Sequence, residues 1–402
     1  MEKKQLAGSV IGFGFVSFFT DMSSEMVYPL LPIFLSSVLG VGAEALGLIE
    51  GIAEATASVL KTFSGYISDR IRRRKPLVLL GYSLSAIAKP TIGLAGRWIH
   101  VLAARFADRV GKGIRTSPRD SLIADVVDDT IRGRAFGFHR AMDTGGAVFG
   151  PLLAYILLAI LLKYYSVSVS VRSVFLLSLI PGIFAIITLI FFVKENPKEQ
   201  RELRKLKLGF KGLSKEFKLL LAVMLVFSLG NSSNTFLILR ASNIGFKTEM
   251  IPILYMFFNI VYAGSAMPLG SLSDKIGRRL TIAMGFFIYF IVYLGFARLS
   301  THQYIYLWIL FGLYGIYYGF TDGTLRALVA DISRREERGF AYGLYHMLVG
   351  LMLFPASFIA GILWEKVAPS APFYFGALTA AISAFLILIV IKEKKYEEDP
   401  VR

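Results

Sequence analysis

Residues 270–279 read Gly270-Ser271-Leu272-Ser273-Asp274-Lys275-Ile276-Gly277-Arg278-Arg279, and 205 residues earlier the chain reads Gly65-Tyr66-Ile67-Ser68-Asp69-Arg70. A second pair lies further on: Ala124-Asp125, Arg132-Gly133, Ala135 and Gly137 recur as Ala330-Asp331, Arg338-Gly339, Ala341 and Gly343, offset by 206. Two matches with nearly the same offset indicate a duplicated half. Each copy sits in a short basic loop after an apolar run of helical length.

Around these loops the chain is apolar. Of 402 residues, 55% are hydrophobic and only 18% charged, yet the net charge is +16, and mean hydropathy is +0.60. A soluble nucleic-acid binder needs a basic face on a polar body, and here the basic residues sit between apolar runs, so no nucleic-acid partner is expected. Cysteine is absent, which excludes disulfides and thiolate sites. No metal, cofactor or catalytic cluster is predicted. The acidic doublet Asp128-Asp129 at a membrane surface lies in a repeated loop, which argues against a polytopic enzyme and leaves that class, with a non-transporting receptor, as a remote alternative.

A spanning helix needs about 20 mostly apolar residues. Twelve such stretches are predicted, near 9–35, 44–67, 76–95, 99–122, 135–160, 172–193, 218–240, 249–272, 279–298, 303–325, 340–364 and 371–391. The expected fold class is an all-α membrane protein of two pseudo-symmetric six-helix bundles. Its expected domains are 1–193, a basic linker 194–217, 218–391, and a tail 392–402. With both termini cytoplasmic, 28 of the 44 Lys and Arg fall on inner loops and 6 on outer ones. This is the bias that sets orientation in a membrane.

Against this background the sequence resembles the major facilitator superfamily. The motif is Gly-x-Leu-(Ala/Ser)-Asp-(Arg/Lys)-x-Gly-(Arg/Lys)-(Arg/Lys). Residues 270–279 match it throughout, while 65–74 depart at Ile67 and Arg72. The resemblance implies a secondary transporter in the cell membrane, working by alternating access. It also implies gating by Gly65, Asp69 and Arg70 and by Gly270, Asp274, Lys275, Gly277 and Arg278. In such a gate the aspartate can face a helix N-terminus, where about half a positive charge sits. The run Gly146-Ala-Val-Phe-Gly150-Pro151 is similar to the antiporter motif of the proton-driven exporters, although Ala154 and Tyr155 replace its final glycines.

Ionisable groups within spans are costly unless paired or facing a cavity. The proton-coupling candidates are Asp21, Glu25, Glu50, Glu54, Asp143 and Asp322, with Glu54 and Asp21 placed first. Candidates for substrate contact or ion pairing are Lys89, Arg105, Asp108, Arg109, Lys112 and Arg115. At 100° per residue the span-four members share one arc, and Arg109 is expected on Asp21 or Glu54. In the second half Asn231, Asn234, Tyr317, Tyr345 and His346 suit an amphiphilic ligand. The leading expectation is a proton-coupled antiporter of small amphiphilic molecules, monomeric, with bilayer, substrate and protons as its partners. The alternative is a carrier of organic phosphates, carboxylates or siderophores on the basic face of span four.

Overall fold

The computed structural model describes residues 2–70, 73–127, 132–195, 213–333 and 338–391; side chains of 2–7, 66, 69, 70 and 132 also lie outside the description. Twelve helical rods account for the twelve apolar stretches. They are α1 Glu2–Val27, α2 Ala43–Arg70, α3 Lys75–Thr91, α4 Trp98–Asp125, α5 Arg132–Leu161, α6 Val167–Phe192, α7 Lys215–Asn243, α8 Ile251–Ile276, α9 Arg278–Arg298, α10 Tyr304–Asp331, α11 Arg338–Lys366 and α12 Ala371–Val390. No strand occurs among the described residues.

Among the described residues, eight rods are long and apolar enough to cross a membrane by composition, namely α3, α5, α6, α7, α8, α9, α11 and α12. The other four are α1, α2, α4 and α10. These carry Asp21 and Glu25, Glu50 and Glu54, the basic stripe, and the tyrosines with Asp322.

Two rods depart from the expected continuous spans. The α-helix of span one ends at Val27 and passes through a tight turn Tyr28–Leu30, one α turn Leu31–Ile33, and a wide turn Phe34–Val38. Pro29 and Pro32 withdraw two amide donors there, which a regular helix cannot absorb. The rod α7 is interrupted between Gly230 and Thr235. Asn231, Ser232, Ser233 and Asn234 compete for backbone hydrogen bonds and disfavour the helix interior.

The chain divides into two units, 1–204 with 246–256, and 205–245 with 257–402. In the first, α1 packs on α5 and α6, and α4 on α2 and α3; in the second, α12 packs on α9 and α7, and α9 on α10. The expected linker lies outside the described residues over 196–212.

Two contacts of the duplicated loop are made in both units, in a different register. In the second unit Gly277 has φ +94 and the next helix starts at Arg278. Arg278 pairs with Asp274 at 2.5 Å and with Asp331 at 3.4 Å, and Arg279 donates to the Ile391 carbonyl at 3.1 Å. In the sequence Arg72 stands where Gly277 would, and it lies outside the described residues. There α3 starts only at Lys75, Arg74 pairs with Asp125 at 2.5 Å, and Lys75 donates to the Val193 carbonyl at 2.6 Å. The partners are equivalent, and the cations have slipped by one position.

Candidate functional site

In the first unit, glycines set how closely the helices approach. A Cβ at Gly81 would lie 2.6 Å from the Gly111 carbonyl oxygen, and one at Gly111 would lie 2.8 Å from Ser85 Oγ. This crossing of α3 and α4 places Arg115 on the Gly81 carbonyl at 3.4 Å and on Ser85 Oγ, with its guanidinium 4.5 Å from the Tyr82 ring centroid. Across α2 and α4, Ser64 Oγ donates to the Gly113 carbonyl and Ser117 Oγ to the Lys61 carbonyl, both at 2.7 Å.

Two ionic rungs bridge α2 and α4 one turn apart. In the first, Arg105 binds Glu50 Oε1 through Nη2 at 2.7 Å and Nε at 2.9 Å, with Asp108 at 3.5 Å; both partners are buried. In the second, Arg109 Nη2 lies 3.1 Å from Glu54 Oε1 and Nε lies 3.8 Å from Asp108 Oδ2. Asp108 thus supports both. Of the two acids expected on Arg109, the structure selects Glu54. The rungs follow from the four-residue spacing of Glu50 and Glu54 against that of Arg105 and Arg109, since residues four apart share a helix face.

The remaining charges of the stripe are placed otherwise. Arg115 is buried on neutral acceptors. Lys112, on the same arc, is exposed and makes no ion pair among the described residues. Lys89 is 2% exposed, and its ammonium donates to the Thr20 carbonyl at 3.2 Å and to Ser24 Oγ at 3.1 Å.

Asp21 and Glu25 have no cationic partner within ion-pair distance among the described residues, and Glu25 Oε2 is buried without a hydrogen bond. The two carboxylates stand where α5 crosses α1. A Cβ at Gly146 would be 2.9 Å from Asp21 Cβ, and one at Gly150 would be 2.9 Å from Glu25 Cβ and 2.6 Å from the Met22 carbonyl oxygen. Gly146 and Gly150 therefore let α5 lie against the α1 backbone beside both acids, and Pro151 follows within the helix. Further along α5, Asp143 accepts from Ser17 Oγ and lies 3.9 Å from Arg140. His139 is buried, and its Nε2 has no hydrogen bond.

In the second unit the break in α7 presents its amides to tyrosines. Asn234 Oδ1 accepts from Tyr314 at 2.8 Å and from Tyr318 at 3.4 Å, and Asn231 Oδ1 accepts from Tyr289 at 3.3 Å. Tyr317 joins this cluster, with ring centroids 4.9 Å from Tyr289 and 5.0 Å from Tyr318. Tyr262 donates to Asp322 at 2.6 Å, and Arg326 pairs with the other oxygen at 2.7 Å. Tyr345 is buried and packs edge-on against the His346 ring. The sequence reading missed Tyr262, Tyr289 and Tyr293. Tyr289 and Tyr293 are four apart on α9, a helical repeat that would have flagged them. Gly65 and Gly270 occupy equivalent turns of α2 and α8, and Lys275 is exposed. The side chains of Asp69 and Arg70 lie outside the described residues.

Twelve helical rods, charges gathered on interior faces and a duplicated basic loop define a multi-pass membrane protein with a polar interior. The profile of the Major Facilitator Superfamily matches residues 13–351 and 219–402, and the chain belongs to that superfamily of membrane transporters. It is 40% identical over 393 residues to an uncharacterised MFS-type transporter of Methanocaldococcus jannaschii, covering 96% of each chain. Over 129 residues, 32% of each chain, it is 31% identical to the multidrug resistance protein MdtH of an Enterobacter species. Among solved structures, the nucleoside transporter NupG superposes with a TM-score of 0.77 at 12% identity, covering 96% of this chain and 99% of the other.

Proposed function

We propose that this transporter is a proton-coupled exporter of small amphiphilic molecules in the cell membrane, with both termini cytoplasmic, acting as a monomer. The observation that carries this reading is the division among the interior acids. Glu50 and Glu54 are held by Arg105 and Arg109, whereas Asp21 and Glu25 have no cationic partner within ion-pair distance among the described residues. A carboxylate without a fixed counter-ion is neutral when dry and charged when wetted, so its protonation follows which side has access. Gly146 and Gly150 set α5 beside these acids, so movement between α1 and α5 alters their surroundings directly. The amides and tyrosines of the second unit suit an amphiphile with an aromatic part. The name of the Enterobacter relative, a multidrug resistance protein, agrees with this cargo.

The test is a pH jump across proteoliposomes holding the purified chain, with a panel of cationic, neutral and anionic compounds. Counterflow of protons and an amphiphile is expected; uptake of solutes indifferent to the gradient would refute the reading. One observation favours an organic-anion carrier instead: Lys112 is exposed and makes no ion pair among the described residues. Transport confined to the anionic members of the panel would establish that alternative.

A further inference from the structure

A buried ammonium normally has a carboxylate beside it, because an isolated charge is expensive to bury. Lys89 does not follow that pattern. It is almost wholly inside the first unit, and its two hydrogen bonds go to neutral oxygens, the Thr20 carbonyl and Ser24 Oγ. An ammonium has three protons to place, so one remains. Thr20 and Ser24 each precede one of the acids on α1 by a single residue. Neighbouring positions are 100° apart around a helix, so the ammonium is parked on the stripe next to the one bearing Asp21 and Glu25. Glu25 Oε2 meanwhile is buried with no donor. A donor in excess and an acceptor in deficit thus stand side by side without meeting.

The other charges around Lys89 are accounted for. Besides Asp21 and Glu25 on α1, its ammonium feels Asp108, Arg109 and Arg115 on α4. Asp108 is engaged by Arg105 and Arg109, and Arg115 by Ser85 and the Tyr82 ring. The helix α6 also packs on α3, and its one charged residue, Arg172, is fixed on the carbonyls of Gly93 and Ala95. Among the charged groups that face it, the α1 carboxylates remain as partners that Lys89 can gain; Lys112 on α4 and Asp143 on α5 face those carboxylates as well.

We propose that Lys89 is a tethered counter-cation for Asp21 and Glu25, exchanging places with a cationic cargo at those carboxylates. The inference rests on the exporter reading and specifies its cargo as organic cations. When the acids hold protons, Lys89 rests on Thr20 and Ser24, as in this structure. When they lose their protons to water, the ammonium swings across on its flexible four-carbon stem and offsets one of their two charges. A cargo bearing a positive charge must displace it to bind. Lys89 thereby offsets one of the two negative charges of the empty ionised site, and proton and cargo need not be bound together.

The experiment uses the purified full chain in lipid nanodiscs, with tetraphenylphosphonium as the probe, titrated calorimetrically at pH 8 without any gradient. Lys89→Met removes the competitor and tightens binding by about thirtyfold, the effect of one unit charge at about 8 Å with an effective dielectric of about 20. Lys89→Arg keeps the competitor and binds like the parent. Ser24→Ala removes the parking oxygen, drives the ammonium onto the acids, and weakens binding. A lysine that only packs would not give opposite signs in Lys89→Met and Ser24→Ala. Unchanged or weaker binding in folded Lys89→Met overturns the proposal, as does absence of binding in every variant. Should Lys89→Met fail to fold, the Ser24→Ala arm decides: weaker binding supports the exchange, and unchanged binding overturns it. Because no gradient is used, a failure of proton-driven transport in vesicles would leave this result standing, and the reverse also holds.

Discussion

Removing Glu50 tests whether the first rung is structural. Glu50→Gln keeps the shape of the side chain but deletes the charge held by Arg105 at 2.7 and 2.9 Å. Glu50 is fully buried and Arg105 is 4% exposed, so the guanidinium cannot turn to water. Breaking one partner out of a buried pair costs about 3–5 kcal/mol. Asp108 remains 3.5 Å from Arg105, which places the expected loss near the lower end, about 3 kcal/mol. Removing both charges in Glu50→Gln/Arg105→Met should cost less than the single change, since a buried pair replaced by neutral groups of similar volume is often close to neutral. The assay is a double-mutant cycle on unfolding in lipid nanodiscs, completed by Arg105→Met alone. A coupling of about 2 kcal/mol or more is expected, within the range for residues in contact. The double variant is also expected to retain proton-driven transport. A single-variant loss below about 1 kcal/mol, or additive effects, would refute the reasoning. Loss of coupling to protons in a stable double variant would move Glu50 from scaffold to mechanism.

Three further outcomes are expected. Gly150→Val puts side-chain atoms where the Met22 carbonyl oxygen lies 2.6 Å from a Cβ; it should cost about 1–3 kcal/mol as an overpacked contact and slow transport, read by thermal unfolding and vesicle flux. Gly277→Ala forces a side chain to φ +94; a loss of about 1–3 kcal/mol is expected, measured against Ser271→Ala as a control, and an unchanged midpoint would show that the turn relaxes. Asp69→Asn should impair turnover while leaving insertion and folding intact, because a charge–dipole contact made in one state shifts a population rather than the core; normal turnover of the purified variant would reduce the loop to a topology signal.

The twelve spans were legible because each apolar run is close to the length that crosses a bilayer, and the repeat because its offset is nearly constant. What the sequence hid is local. Asn231 to Asn234 read as polar decoration within span seven, whereas they break the helix and offer amide oxygens to Tyr289, Tyr314 and Tyr318. Pro29 and Pro32 were visible, but the change of helical pitch after Val27 depends on how the surroundings satisfy the missing donors. The rungs Glu50–Arg105 and Glu54–Arg109 follow from matched spacings, so the sequence narrowed Arg109 to two acids. The choice between them depends on how closely α4 approaches α2, which is set by contacts such as Gly113 against Leu60 and Ala57. Arg72 in place of a glycine was visible as a departure, but the one-position slip of Arg74 and Lys75 emerges only from the built loop. The resting place of Lys89 was not legible, since a backbone carbonyl as partner leaves no mark in the sequence.

The central claim is that Asp21 and Glu25 carry the coupling proton while Glu50 and Glu54 do not. It is tested most directly by the internal pH of proteoliposomes, followed with a trapped dye as cargo is added to the wild type, to Asp21→Asn/Glu25→Gln, and to Glu50→Gln/Arg105→Met. The account predicts cargo-driven proton movement in the wild type and in the Glu50 variant, and none in the Asp21/Glu25 variant even where cargo still binds. Undiminished proton movement in the Asp21/Glu25 variant would contradict it.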